Sequence, residues 1–380
     1  MKLLFLDQTA ELGGAELCLI SEVTHLPHES SVLLFEDGAF REMLAAAGVR
    51  VEVVAASPGT MTVRREAGML AIFSALPSVL RLVFTVARRA KAYDVIYANS
   101  QKAFVVGAFA AAISGRPLVW RLHDVLTADH FSATLRRIVV FLANWKARRI
   151  IVNSLASREA LVAVGGNPAR ISVAYPGIDE TPFAGINEIA TAAIRTELGA
   201  GDAPLIGVFG RLSPWKGQGV FIDAIAKLPR AIGVIVGGPL FGHEEFAAEL
   251  SEKVAALGLG GQIRFLGFRK DIPLLMTAME IVVHSSIAAE PFGRVVVEGM
   301  LAGKPMVASA AGGVLEIIEH GKTGWLYEPG NAVALADTLQ TILDNQTQAA
   351  AIAAAGRLHA QKTFTVMATV KQIDDALKLI

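Results

Sequence analysis

The chain has 380 residues with 35 basic and 35 acidic side chains, so its formal net charge is zero and no global field favours nucleic acid as a partner. Apolar residues make up 53% and charged residues 18%, which excludes a disordered chain and suits parallel strands covered on both faces. The length exceeds what one hydrophobic core usually serves, so two domains of similar size are expected.

Short β-rich runs alternate with longer helical patterns almost throughout, the sequence form of a doubly wound parallel α/β sheet. The N-terminus reads as a first strand at 2–6: Asp7 and Glu11 follow its short apolar run, and no small-residue cleavage site does. LGGAE (12–16) then places Gly13 and Gly14 ahead of the first helix. Paired glycines there admit a ligand close to the backbone, or make a plain tight turn. GxGxxG is absent, so a dinucleotide fingerprint is not the reading. The single cysteine, Cys18, lies in an apolar stretch, cannot form an intramolecular disulfide, and fits a reducing, cytoplasmic compartment.

Further strands are expected at 31–35, 50–54, 94–97, 117–121, 149–152 and 171–173. The apolar run 68–89 is interrupted by Pro77 and Arg81, and 103–113 is too short to cross a bilayer. WRLHDV (120–125) ends a strand on His123 and Asp124. The two could orient one another and offer a partner to a sugar or acceptor hydroxyl, or the histidine could be held structurally by its neighbour. The stretch 134–149 combines Arg136, Arg137, Lys146, Arg148 and Arg149 with bulky apolar residues, and 68–91 is similarly apolar with a basic end. That pattern fits a face lying on the inner side of a membrane, or helices packed on the sheet with solvated basic ends.

Pro, Gly and Asp cluster in YPGIDETPFAGINE (175–188), which reads as a linker. A second series of strands follows at 204–209, 231–236, 263–265, 281–284, 305–308 and 325–327, and then helical stretches fill 331–380. Directly after its first strand, GRLSPWKG (210–217) puts Arg211 and Lys216 on a loop leading into a helix. This suits a diphosphate, or is simply a solvated loop with two cations.

In EPFGRVVVEGM (290–300), Pro291 and Gly293 favour a turn before a helix beginning near Arg294, whose start presents backbone N–H groups and the positive dipole end. Glu298 falls one turn in, on the face of Arg294, while Glu290 sits ahead on the loop. A carboxylate accepts two hydroxyl hydrogen bonds, and ribose and hexoses offer vicinal hydroxyl pairs. The spacing fits a nucleotide sugar, with Glu290 on the sugar, helix amides on phosphate and Glu298 on ribose; the plainer alternative is a helix-start carboxylate and a surface Glu. DxD, HExxH, GxSxG and GxxxxGK[ST] are all missing, which speaks against a protein-bound metal, an acyl hydrolase and a P-loop enzyme.

Together GRLSPWKG and HSSIAAEPFGRVVVEGMLAGKPMVASAAGGVLEIIEHGKTGWLYEPGN (284–331) resemble the C-terminal signature of the retaining glycosyltransferases of family 4. LGGAE and the HD after WRL match that family's N-terminal landmarks, so the resemblance covers essentially the whole chain. It implies the GT-B fold, two Rossmann-like doubly wound parallel-sheet domains facing a central cleft. An acceptor-side domain would occupy 1–178 and a donor domain 179–361, with a final helix at about 362–380 packing back on the first.

The activity implied is a metal-independent hexosyl transfer with retention, needing no cofactor beyond its nucleotide-sugar substrate. UDP is favoured over GDP and glucose over mannose; the acceptor is a glycan or lipid-linked glycan. The resemblance carries diphosphate contacts onto Arg211 and Lys216, and the sugar contact onto Glu290 with the amides of Phe292 and Gly293. Pro291, Arg294 and Val295 complete that donor-binding segment, and Glu298 takes the ribose. Backbone around Arg269 and Lys270 in GFRKD would hold the base, His123 would stand near the transferred sugar and acceptor, and Gly13 and Gly14 would approach the donor phosphates and acceptor. Leu315 stands where the family commonly has Pro, Asn331 where it has Asp, and GGP at 237–239 is a shortened glycine-rich turn. A GT-B epimerase and a non-catalytic sugar-nucleotide-binding protein are the alternatives, while the missing fingerprint disfavours a nicotinamide dehydrogenase.

Overall fold

The structure, a computed structural model, describes residues 1–8, 12–54, 69–127, 131–239 and 244–380, without the side chains of 69–75; Glu11 and Gly68 of the readings above fall outside. Its contacts form two units, Met1–Gly177 with Val366–Ile380, and Ile178–Thr365.

The first unit runs β1 (Lys2–Asp7), α1 (Gly14–His25), β2 (Glu29–Leu34), α2 (Ala39–Ala46), β3 (Arg50–Val53), α3 (Met69–Ala90) and β4 (Val95–Ala98). It continues through α4 (Gln101–Ser114), β5 (Leu118–Leu122), α5 (Ala133–Lys146), β6 (Ala147–Val152), α6 (Leu155–Ala163) and β7 (Ile171–Val173). All pairings are parallel, in the order β3-β2-β1-β4-β5-β6-β7.

Strand side chains alternate faces, so the unbroken apolar run of β1 feeds two cores: Leu4 and Leu6 join one, Leu3 and Phe5 the other. Helices α3, α4 and α5 cover the first core with residues such as Val86, Phe104 and Val139. Residues Leu19 of α1 and Phe40 of α2 cover the second.

The second unit comprises α7 (Glu188–Glu197), β8 (Leu205–Phe209), α8 (Gln218–Ile225), β9 (Ile232–Val236), α9 (Glu244–Ala256), β10 (Ile263–Gly267) and α10 (Ile272–Ala278). Then come β11 (Ile281–His284), α11 (Arg294–Leu301), β12 (Met306–Ser309), β13 (Trp325–Tyr327), α12 (Ala332–Asp344) and α13 (Gln346–Thr363). This sheet too is parallel, ordered β10-β9-β8-β11-β12-β13. The last helix, α14 (Val366–Leu377), belongs to the first unit: Ile373 enters its second core, Thr369 Oγ1 donates to Tyr175 O at 2.6 Å, and His28 lies 2.8 Å from Asp374.

Both doubly wound sheets expected from the alternation are present, and each expected strand appears with ends shifted by at most two residues. The strand expected from 149 starts two residues earlier. Ala147 already has extended backbone (φ −67°, ψ 124°), so Arg148 and Arg149 lie on β6. A charge is also buried in the first unit. Arg121 on β5, 0% exposed, donates through Nε to Glu22 Oε1 at 3.0 Å and through Nη1 to Ala174 O at 3.0 Å. Tyr97 donates its O–H to Glu22 Oε2 at 3.0 Å.

Strand order reverses between β1 and β4 in one sheet and between β8 and β11 in the other. Ligand sites in open parallel sheets form beyond the carboxyl ends of the strands at such reversals. The loops there are those carrying LGGAE in the first unit, and GRLSPWKG and EPFG in the second.

Candidate functional site

In the second unit, β8 leads through Gly210 into a 3-10 turn at Pro214–Lys216, and Gly217 (φ +69°) starts α8. A Cβ at Gly217 would collide with Ser285 O, so this position lets the loop after β8 press against the loop after β11. Ser285 Oγ donates to Lys216 O at 2.8 Å and the Ile287 N–H to Trp215 O at 2.8 Å. The same approach brings Lys216 Nζ to 2.5 Å from Glu290 Oε1.

Glu290, its side chain 8% exposed, receives three donors on one oxygen. Besides Lys216, Oε1 accepts from Ser286 Oγ at 2.6 Å and from His284 Nε2 at 3.1 Å. Ser309 Oγ lies 3.3 Å from His284 Nδ1. With a carboxylate as its partner, Nε2 is the ring nitrogen that donates to Glu290. Burial pushes the Glu290 carboxyl up, but Lys216 and His284 outweigh it and hold the group well below the ordinary carboxylate range, so it is ionised at neutral pH. Among the described residues, no protein group bonds Oε2. The result is a fixed carboxylate with one oxygen available to hydroxyl donors.

An ammonium has three N–H donors, and Lys216 spends one on Glu290. Its Nζ also stands 4.3 Å from the centre of the Trp215 ring, which the exposed Arg211 guanidinium approaches to 5.6 Å. Two cations thus flank one indole at the end of β8. Next to them α11 starts at Arg294 after Gly293, whose φ of +108° favours glycine, and the first-turn amides of such a helix have no carbonyl partner within it. Pro291 and Phe292 form the bend that precedes Gly293, and Val295 lies in the first turn of α11. Arg294 Nη2 donates to Glu298 Oε1 at 3.3 Å, the same-face pairing implied by their spacing.

Arg269 is committed elsewhere. Its guanidinium forks onto Asp271 at 2.8 and 2.6 Å and reaches Glu197 at 2.5 Å, whereas Lys270 is exposed. Phe268 beside them is 78% exposed at the end of β10, a bare aromatic that the sequence reading passed over. Among the described residues, no group of three His, Cys, Asp or Glu could hold a metal ion.

In the first unit, His123 at the end of β5 has its Nε2 2.8 Å from Asn99 Oδ1, while Asn153 Nδ2 lies 3.4 Å from its Nδ1. Asn99 Nδ2 also donates to Asp7 Oδ2 at 2.6 Å, and Gln101 Nε2 donates to Asp124 Oδ2 at 3.2 Å. The sequence reading considered only Asp124 as the orienting group and missed both asparagines. A signal existed, because β4 and β6 are each followed by Asn-Ser, in YANS and VNS. Similarly, HSS at the end of β11 announced three hydroxyl or imidazole groups close ahead of Glu290. Among the described residues, the buried Gln8 Oε1, Ser100 Oγ and Asn153 Oδ1 have no hydrogen-bond partner, and Asn153 is the one that touches His123 through its Nδ2.

Gly14 opens α1, and the Gly13 N–H donates to Glu16 Oε2 at 2.9 Å. Burial, then the nearby Asp7, push the Glu16 carboxyl up to about 7. The folded state therefore holds this proton more tightly than the unfolded chain, and stability falls as pH rises from the ordinary carboxylate range through about 7. Glu16→Gln keeps an acceptor for Gly13 without that penalty. It is expected to exceed the parent by about 1–3 kcal/mol near pH 8 and to match it near pH 4, by urea unfolding. A difference that stays constant between those pH values would contradict the burial of this carboxyl.

Residues 191–359 match the family model described as glycosyl transferases group 1, and residues 39–181 match that of glycosyltransferase family 4. Among curated proteins, the D-inositol 3-phosphate glycosyltransferase of Salinispora arenicola is 30% identical over 337 residues, 82% of this chain and 74% of that one. Its counterpart in Corynebacterium glutamicum is 28% identical over 394 residues, 96% and 91% of the two chains. Among solved structures, Anabaena HepE in complex with UDP-glucose superposes with a TM-score of 0.91 at 41% identity, covering 100% of both chains. Sucrose-phosphate synthase from Thermosynechococcus elongatus, at 19% identity and a TM-score of 0.79 over 99% and 98% of the chains, shares the fold.

Proposed function

The chain belongs to the family 4 glycosyltransferases of GT-B fold, and on that premise we propose that it transfers a hexose, with retention, from a UDP-sugar to a glycan or lipid-linked glycan. The observation that carries this reading is Glu290: three donors fix its Oε1, and its unbonded Oε2 is set to accept from a sugar hydroxyl beside the ammonium of Lys216.

Lys216, with two N–H donors to spare, and Arg211 receive the β-phosphate charge that grows as the bond from the anomeric carbon to the leaving oxygen breaks. The acceptor oxygen bonds the anomeric carbon on the same face, and the departing phosphate oxygen takes its proton. Amides of Phe292, Gly293, Arg294 and Val295, following Pro291, bind phosphate and sugar oxygens. Glu298, steadied by Arg294, takes the ribose hydroxyls, and backbone around Arg269 and Lys270 the base. His123, held by Asn99 and Asn153, serves the transferred sugar and acceptor, while the amides of Gly13 and Gly14 approach the phosphates. Charge neutralisation is assigned to the two cations, with no divalent ion.

The 41% identity to a protein solved with UDP-glucose supports UDP over GDP and glucose as the sugar. A calorimetric panel of UDP, GDP and ADP with their hexose conjugates, run in EDTA, tests the donor assignment. UDP-glucose is expected to bind tightest; preference for GDP conjugates, or loss of binding in EDTA, would overturn it. Proton NMR of the products separates the alternatives. An anomerically retained product is expected, whereas a donor sugar altered without acceptor marks an epimerase, and bound donor without turnover marks a binding protein.

A further inference from the structure

Helices α3, α4 and α5 lie side by side over one face of the first sheet, and each keeps an apolar stripe on its outer side. The stripes hold Leu80 and Phe84 on α3, Phe109 and Ile113 on α4, and Phe141 and Trp145 on α5, at spacings of about one turn. Phe84 is 60% and Phe141 67% exposed, although Val86, Phe104 and Val139 of the same helices are buried. Phe109 and Trp145 meet edge to face with centroids 6.2 Å apart, so the stripes of α4 and α5 join. Single exposed apolar side chains need no explanation, but a run across three neighbouring helices is a patch that folding alone leaves uncovered.

Charge gathers at one end of this patch. Helices between parallel strands run opposite to them, so α3, α4 and α5 all finish at the amino ends of the strands, away from the loops of the candidate site. There Arg116, Lys146, Arg148 and Arg170 line a cavity of about 450 Å³ together with Trp145. None of the four has an acidic partner among the described residues. Carbonyls fix two of the guanidiniums: Arg116 donates to Lys91 O at 2.7 Å, and Arg170 to Asn144 O at 2.8 Å and Ala147 O at 2.9 Å. Lys146 Nζ sits 5.4 Å from the centre of the Trp145 ring. Helix ends favour cations, but that accounts for exposed cations and not for four converging on a hollow.

We propose that this face rests on an anionic phospholipid surface, with the apolar stripes entering the acyl boundary and a lipid phosphate seated in the basic hollow. An apolar face bordered by aromatic and basic side chains is what an interfacial helix layer requires, and no helix among the described residues is long and apolar enough to cross a membrane. The surface uses no residue assigned to donor binding, so the two readings stand or fall separately.

Vesicle flotation of the full chain tests it, with phosphatidylcholine vesicles made with and without phosphatidylglycerol. Binding is expected only with phosphatidylglycerol and should weaken with salt. The double variant Lys146→Glu/Arg148→Glu should lower partition at least about tenfold, and Phe84→Ser/Phe141→Ser should do likewise, with UDP-glucose affinity unchanged in both. Three results would each overturn the proposal: no flotation of the parent protein at low salt, partition unaltered in both variants, or sedimentation showing that the variants dissociate a dimer.

Discussion

Lys216→Ala is expected to lower transfer turnover roughly 10²–10³-fold, the usual effect of removing one preorganised donor aimed at developing charge. No other ammonium is described at Glu290, and Arg211, exposed and 5.6 Å from the Trp215 ring centre, is placed to bear only part of the load. The substitution has a second consequence. Glu290 loses the cation that outweighs its burial, keeping only the donors of His284 and Ser286.

Because the folded pKa of Glu290 is depressed, its contribution to stability is present above the ordinary carboxylate range and is lost as pH falls through the folded value. Lys216→Ala removes much of that contribution, costing about 1.5–3 kcal/mol at neutral pH. The double variant Lys216→Met/Glu290→Gln, with no charge left to compensate, should recover most of the stability and none of the turnover. Saturating-donor kinetics beside urea unfolding separate the two effects. Turnover within about threefold of the parent in a folded Lys216→Ala would remove the diphosphate role from this residue.

The largest purely structural effect is expected at Arg121, where Arg121→Ala should cost about 3–5 kcal/mol. Glu22 is 2% exposed, and burial already pushes its carboxyl up despite the opposing pull of Arg121 and the Tyr97 hydroxyl. Without the guanidinium it must either stay charged and unpaired or take up a proton. Its folded pKa, already raised, climbs further, so the variant should lose stability progressively as pH rises above the ordinary carboxylate range. Arg121→Met/Glu22→Leu removes both charges and should restore much of the loss. Denaturant midpoints at acid and alkaline pH measure this. A cost under about 1 kcal/mol, constant with pH, would mean the pair is not buried as described.

The strands were legible because parallel strands buried on both faces are unbroken apolar runs, such as LLFL and GVIV, stopped by Gly, Pro or Asp. The joint between α5 and β6 was legible only to within two residues, since NWKARR contains good helix formers and no Gly or Pro, and only the extended backbone at Ala147 marks the change. Local pairings could be read from spacing, as with Arg294 and Glu298 four residues apart on one helix. Lys216 and Glu290 lie 74 residues apart, and their contact depends on β8 and β11 being neighbours, which periodicity does not encode. The same limit hid Asn99 and Asn153, brought to His123 from β4 and β6. Sequence thus exposed the chemistry-bearing residues, and sheet order decided which of them touch.

Soaking a crystal of the chain with UDP-glucose in EDTA tests the donor site most directly. The β-phosphate is expected within hydrogen-bond distance of Lys216 Nζ and a glucose hydroxyl on Glu290 Oε2, with Oε1 still held by His284 and Ser286. Phosphates bound away from Lys216, or a sugar that leaves Glu290 Oε2 untouched, would contradict that assignment.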